Sequence, residues 1–235
     1  MPRFAVYYIP QADDPFYLLG TQVLGYDVRA HQNVIPPSEL KEVLGPGKQS
    51  WTMFCRPYGF HLTICEALDV DWATIPRVEQ ELADLLKCFD SSHLFVLDRR
   101  DDQPVGVWEE GASKILALLY EPNMSLRMLH TLLVARLTLL GTGSGFLKRY
   151  LTHPQKELPL HLVQQLRLFY SPRVFENWHP HFTLLNPYEG EEAPMIASRL
   201  AQLFQSYRRV IVPTICLLIQ ENNEANWQIY QEFRR

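Results

Sequence analysis

Hydrophobic and polar positions alternate with period two in some stretches of this chain and recur every three to four residues in others. Phe4 to Ile9 is a short apolar run that predicts a strand. Asp14-Pro15 then supplies an N-cap and a first-turn proline for a helix running to about Leu24. The long connection from Asp27 to Pro57 holds a short helix, Ser38 to Leu44, stopped by Gly45-Pro46-Gly47. Phe60 to Glu66 predicts a second strand. From Thr74 onward, Val78, Leu82, Leu85, Leu86 and Phe89 fall on one helical face. Two further strands are expected over His93 to Leu97 and Val105 to Trp108.

The same order then repeats. Ile115 to Tyr120 predicts a strand and Met124 to Leu140 a helix. A long connection follows, Gly141 to Asn177, with a helical piece over Leu160 to Phe169. His181 to Leu185 predicts a strand, Met195 to Tyr207 a helix, and Val210 to Ile219 and Trp227 to Phe233 two closing strands. Both halves read strand, helix, long connection, strand, helix, two strands. The pattern implies an α+β chain of two pseudo-repeated lobes, about 1–110 and 111–235, forming one domain.

The central strand of each half carries the same polar signature. Tyr58-Gly59-Phe60-His61-Leu62-Thr63-Ile64 and Trp178-His179-Pro180-His181-Phe182-Thr183-Leu184 both contain His, an apolar residue, Thr and an apolar residue. On a strand, His61 and Thr63 share one face while Phe60, Leu62 and Ile64 share the other; His181 and Thr183 repeat this. The two histidines lie 120 residues apart, so no local structure joins them. Chance placement of the 8 histidines and 10 threonines gives about 0.3 such triplets, and two occur, both within expected strands. A single strand histidine reads as a packed or surface residue; a matched pair in a duplicated setting reads as a site.

This twin pattern resembles the signature of the two-histidine (2H) phosphoesterase superfamily, the LigT-like proteins. The resemblance covers the organisation of nearly the whole chain, but only the two motifs in residues. It implies a bilobed α+β fold with antiparallel sheets lining a central cleft, one motif on each side. It further implies a phosphodiesterase acting on 2′,3′-cyclic phosphates, 2′,5′-linked oligonucleotides or related ribose phosphates. Tyr58-Gly59-Phe60-His61 and Arg3-Phe4-Ala5-Val6-Tyr7-Tyr8 are also similar to an uncharacterised branch associated with phosphonate-metabolism genes. That branch has Arg before the Tyr and Lys four residues after the His, where this chain has Pro57 and Cys65.

Two imidazoles and two hydroxyls facing one small group suit phosphodiester chemistry. An ordinary imidazole titrates near pH 6.5, so one histidine can act as base while the other acts as acid. The sequence does not assign the two roles; His61 is written provisionally as base and His181 as acid. Thr63 and Thr183 can donate to non-bridging phosphoryl oxygens. Tyr58 is a candidate for stacking on a base and Arg56 for binding phosphate. No carboxylate stands at ligand spacing from His61, His179 and His181, so neither a metal nor another cofactor is expected. Gly141-Thr142-Gly143-Ser144-Gly145 lacks the lysine spacing of a phosphate loop and reads as a flexible linker. With Lys148-Arg149-Tyr150 after it, the segment is a candidate basic lid.

Composition narrows the partners. The net charge of −4 argues against an extended nucleic-acid surface. The expected partner is a small phosphorylated ligand: a nucleotide, a cyclic phosphate or an RNA end. Cys55, Cys65, Cys88 and Cys216 form no CxxC pair; Cys55 and Cys65 flank the first motif, where a disulfide or thiol role is an alternative, but the four read as reduced thiols of a cytoplasmic protein, and a monomer is expected. The 124–140 helix is interrupted by Arg127, His130 and Arg136, so no membrane span is expected. Two other readings share these features: a module of the same fold that binds RNA ends or nucleotides without turnover, and an accessory protein of phosphonate metabolism.

Overall fold

The structure is a computed structural model describing residues 1–38, 40, 48–90, 92–152 and 158–234. The strands, in chain order, are β1 (Arg3–Tyr8), β2 (Tyr26–Asp27), β3 (Gln32–Asn33), β4 (Leu62–Asp69), β5 (Val96–Arg99), β6 (Val105–Glu110), β7 (Ser113–Pro122), β8 (Gly143–Ser144), β9 (His181–Tyr188), β10 (Arg209–Ile211), β11 (Thr214–Gln220) and β12 (Gln228–Arg234). The helices are α1 (Pro15–Leu24), α2 (Lys48–Trp51), α3 (Ile75–Lys87), α4 (Met124–Leu137), α5 (Gly145–Thr152), α6 (Leu160–Phe169) and α7 (Ala193–Leu203). Apart from Ser38 and Leu40, the helix expected over 38–44 lies outside the described residues.

The fold is α+β. Its main sheet runs β10-β5-β7-β9-β4-β1-β11-β12, with β6 also on β7 and β8 also on β4, and every pairing is antiparallel. The two strands bearing the His-x-Thr pattern, β4 and β9, are neighbours at its centre. The halves exchange elements: β5 and β6 from the first half pair with β7, while β11 from the second half pairs with β1. The single strand expected over 210–219 is therefore two. Pro213, which has no N–H to give a ladder, separates β10 at one end of the sheet from β11 near the other.

The apolar face of the central strands is covered by helices. Phe16 of α1 packs edge-on against Phe60 and Phe182, with ring centroids 4.9 and 5.0 Å away. All three are buried, and full burial of each such side chain is worth roughly 1.5–3 kcal/mol. α1 begins as expected, with the Asp14 carboxylate accepting the Phe16 N–H at 2.9 Å. Buried Ile75, Val78, Leu82 and Leu86 give α3 its inner face. Arg136 of α4 pairs with Glu81 of α3 at 2.8 Å on the surface.

The glycine run is not a free linker. Gly143 and Ser144 form β8 against Leu68 and Asp69, and α5 starts immediately after. The Ser144 hydroxyl is buried, donates to the Tyr170 carbonyl and accepts the Leu147 N–H at 3.1 Å. Those bonds fix the backbone where composition alone suggested mobility. Cys55, Cys65 and Cys216 are buried free thiols, and Cys88 is an exposed one. Among the described residues no helix is long and apolar enough to cross a membrane.

Candidate active site

Leu62 of β4 pairs with Phe182 of β9. Antiparallel pairing about that point sets His61 beside Thr183 and Thr63 beside His181, all on the face opposite the one packed against α1. In a regular ladder such opposite residues have Cβ atoms ~4.5–5.5 Å apart, and diagonal neighbours, here His61 and His181, stand ~7–8 Å apart. His61, Thr63, His181 and Thr183 all line one cavity of about 620 Å³, and Tyr58 lines it too. The structure thus brings together five of the six residues singled out in the sequence. Arg56 is elsewhere: its guanidinium donates to Asn33 Oδ1 at 2.6 Å, tying β3 to the turn before the motif.

Each histidine is oriented by a carbonyl two residues earlier. His61 Nδ1 lies 2.8 Å from Gly59 O, and His181 Nδ1 lies 2.7 Å from His179 O. A carbonyl only accepts, so Nδ1 carries the hydrogen in both rings, and Nε2 is left for the cavity. The requirement for Gly59 follows. Its φ is +68°, and a Cβ there would sit 2.4 Å from Val28 Cβ, so a larger residue would displace the carbonyl that holds His61. Tyr7 stacks on His61 at 4.2 Å, Tyr58 lies beyond at 6.0 Å, and Trp108 meets His181 edge-on at 4.9 Å. This enclosure pulls both imidazoles down to about 4. Burial is the main cause for each, opposed by its carbonyl bond; for His181 the Arg173, His61 and His179 charges add to the lowering.

The two strands resemble each other further than the triplets. β4 pairs Thr63 with Tyr7 but Cys65 with Val6, so Ile64 is an extra residue, a β-bulge. β9 pairs Thr183 with Ala117 but Leu185 with Leu116, so Leu184 is extra in the corresponding place. Each bulge buries two consecutive apolar side chains and turns the residue three past the threonine back toward the cavity. Those residues are Glu66 and Asn186. Sequence reasoning missed them, although the break in alternation at Ile64-Cys65 and Leu184-Leu185 carries the signal.

Three arginines also line the cavity: Arg3 and Arg173, which sequence reasoning missed as site residues, and Arg149. Arg3 donates to Gln220 Oε1 from Nε at 2.8 Å and lies 5.4 Å from the Trp227 ring centre. Arg149 and Arg173 lie 5.9 and 5.1 Å from the Phe146 ring. Arg149 belongs to the segment read as a basic lid, which is helix α5. Lys148 of that helix is engaged elsewhere, 2.9 Å from Asp69. Three guanidiniums around two imidazoles suit an anion.

A buried cluster holds the two motifs in register. Trp178 Nε1 donates to the Thr63 carbonyl at 3.0 Å, and the indole stacks on His130 at 4.2 Å. His130 Nδ1 donates to Ile64 O at 2.6 Å, while its Nε2 accepts the Phe175 N–H at 3.1 Å. His130 is therefore neutral, and burial pulls it down to about 4. Among the described residues no three His, Cys, Asp or Glu side chains are grouped to hold a metal ion.

No protein-family model matches the chain, and no curated protein does. Among solved structures it is similar to Usb1 of Kluyveromyces marxianus, with a TM-score of 0.40, 9% identity and 97% of each chain covered. It is similar also to that Usb1 with uridine monophosphate, with a TM-score of 0.41, 9% identity, and 97% of this chain and 98% of that chain covered. Similarity this distant transfers no residue roles.

Proposed function

We propose that this chain is a metal-independent phosphodiesterase acting on a nucleotide or ribose phosphate, with 2′,3′-cyclic phosphates as the first candidates. The observation carrying this reading is the paired histidines: both line one cavity with Nδ1 bound to a carbonyl and Nε2 free. One Nε2 takes a proton from water as its oxygen attacks phosphorus. The other, protonated, gives its proton to the sugar oxygen as the P–O bond breaks. Two such groups typically contribute ~10²–10⁴-fold each.

Thr63 and Thr183 donate to the non-bridging oxygens, where charge grows in the transition state. Arg3, Arg149 and Arg173 draw the anion in. Arg173 opposes protonation of His181, but both imidazoles are held at about 4, so either histidine can serve as the base and the other as the acid. A bound phosphodiester anion raises both imidazoles and so supplies the protonated partner.

The test is turnover of a panel of nucleoside 2′,3′-cyclic phosphates with EDTA present. Steady product formation is expected. Loss of activity on chelation, restored by one divalent ion, would overturn metal independence. Binding without turnover would leave a nucleotide- or RNA-end-binding module in its place.

A further inference from the structure

The pseudo-symmetry of the site is broken at one position. His61, which immediately precedes β4, and Thr63 and Glu66 on it correspond to His181, Thr183 and Asn186 on β9, so a carboxylate stands where the other strand has an amide. Asn186 lines the main cavity only. Glu66 lines both that cavity and an adjoining compartment of about 320 Å³, and Thr63, Arg173 and His181 also border both. Trp108, Glu109 and Glu110 also line this compartment. Among the described residues the Glu66 carboxylate makes no hydrogen bond or ion pair, although Arg173 is near enough to influence it. A carboxylate left half-buried without a partner is costly in a resting protein, which a stabilising contact from a ligand would offset.

The two compartments differ in charge. Arg3, Arg149 and Arg173 line the main cavity with Glu66 and Glu110, whereas Arg173 alone faces Glu66, Glu109 and Glu110 in the adjoining compartment, so the balance turns from basic to acidic along the path past His181. A phosphodiester held between the histidines must send one substituent along that path. Glu66 repels a second phosphate there and accepts from a hydroxyl or amine. Three residues of strand separate Thr63 from Glu66, a span of ~10 Å at most, which is nucleoside-sized.

We propose that Glu66 is the specificity residue of this site, receiving a neutral hydrogen-bond donor, a sugar hydroxyl or a base amine, on the substituent that runs past His181. This rests on the phosphodiesterase reading. It adds that the substrate arm is uncharged there, and it makes the two halves of the site unequal.

The experiment compares wild type, Glu66→Gln and Glu66→Ala on guanosine 2′,3′-cyclic phosphate, its 5′-phosphorylated form, and bis(p-nitrophenyl) phosphate, which offers no donor. The readout is the ratio of kcat/KM between substrates, which a general loss of folded enzyme does not move. For guanosine cyclic phosphate against the nitrophenyl ester, both variants should lower the ratio about 10- to 100-fold, the worth of one charge-assisted hydrogen bond. The 5′-phosphorylated nucleotide should gain on its parent in Glu66→Gln. The 5′-deoxy and inosine analogues identify the donor: only the one lacking it should be insensitive to the variant. Ratios unchanged within twofold in both variants would overturn the proposal. If wild type binds these ligands without turning them over, the phosphodiesterase reading fails, and the corresponding ratios of Kd still decide the role of Glu66.

Discussion

Trp178 Nε1 donates to the carbonyl of Thr63 at 3.0 Å, so the loop preceding one candidate histidine is bonded to the strand that carries the other. Sequence separation between the two halves is thereby converted into a fixed spacing. His130 stacked beneath the indole adds bonds to Ile64 and Phe175. The loop so anchored also bears Arg173 and Asn177, both of which border the cavities.

His130→Leu removes the partners of two backbone groups, Ile64 C=O and Phe175 N–H. Each orphaned group costs ~1–3 kcal/mol, so a loss of roughly 2–6 kcal/mol is expected in urea unfolding. A change below 0.5 kcal/mol would mean that this cluster does not hold the loop.

Stability should fall in mild acid. The folded pKa values of His61, His130 and His181 lie at about 4, below the ordinary value of 6.5. The unfolded chain therefore binds more protons between those values, and the contribution, complete above pH 6.5, is lost as pH falls toward 4. Thermal unfolding measured from pH 7.5 to 4 should show a falling Tm, and His130→Gln should flatten that slope. An unchanged Tm over this range would contradict the burial of these rings as neutral species.

The same depression sets the direction of the activity profile. The acid partner must be protonated, and each ring in the free protein resists protonation. kcat/KM should therefore be highest below neutrality and decline as pH rises from 6 to 8, approaching tenfold per unit. An alkaline optimum would argue for a hydroxide mechanism without a protonated histidine.

Gly59→Ala tests how His61 is oriented. The positive φ and the 2.4 Å approach to Val28 Cβ both oppose a methyl group. The expected outcome is a drop of 10-fold or more in kcat, since a misplaced carbonyl frees the Nδ1–H and the ring can turn, with ~1–3 kcal/mol of destabilisation. Full activity in a destabilised variant would show that the carbonyl bond is dispensable.

Much of this organisation was legible from residue patterns. The Asp14-Pro15 helix start, the order of elements in the first half, and the strands that follow His61 and begin at His181 follow from local chemistry that tertiary packing did not override. What local chemistry could not reveal was partnership across the chain. The exchange of β5, β6 and β11 between halves, the break at Pro213, and the arrival of Arg3, Arg149 and Arg173 at one cavity depend on contacts between distant residues. Arg56 looked suited to phosphate beside the first motif, but Asn33 takes its guanidinium. The bulges were the subtler loss. One inserted residue leaves composition untouched, and only the doubled apolar pairs Ile64-Cys65 and Leu184-Leu185 betray the turn that brings Glu66 and Asn186 to the cavity.

The threonines should matter less than the histidines. Thr63→Val and Thr183→Val each remove one hydrogen bond to developing charge, so kcat should fall on the order of 10–10³-fold while KM changes little. A rise in KM alone would make them ground-state contacts.

The most direct measurement is turnover set against binding for His61→Ala, His181→Ala and the double variant, on one cyclic phosphodiester with EDTA present. Product assay should show each single variant losing ~10²–10⁴-fold in kcat, and the double variant scarcely worse than either, because groups acting as one unit are not additive. Calorimetry should show the ligand still binding to all three. A His61→Ala protein that turns substrate over at near wild-type rate while its affinity falls would contradict acid–base catalysis and leave the histidines as ligand contacts.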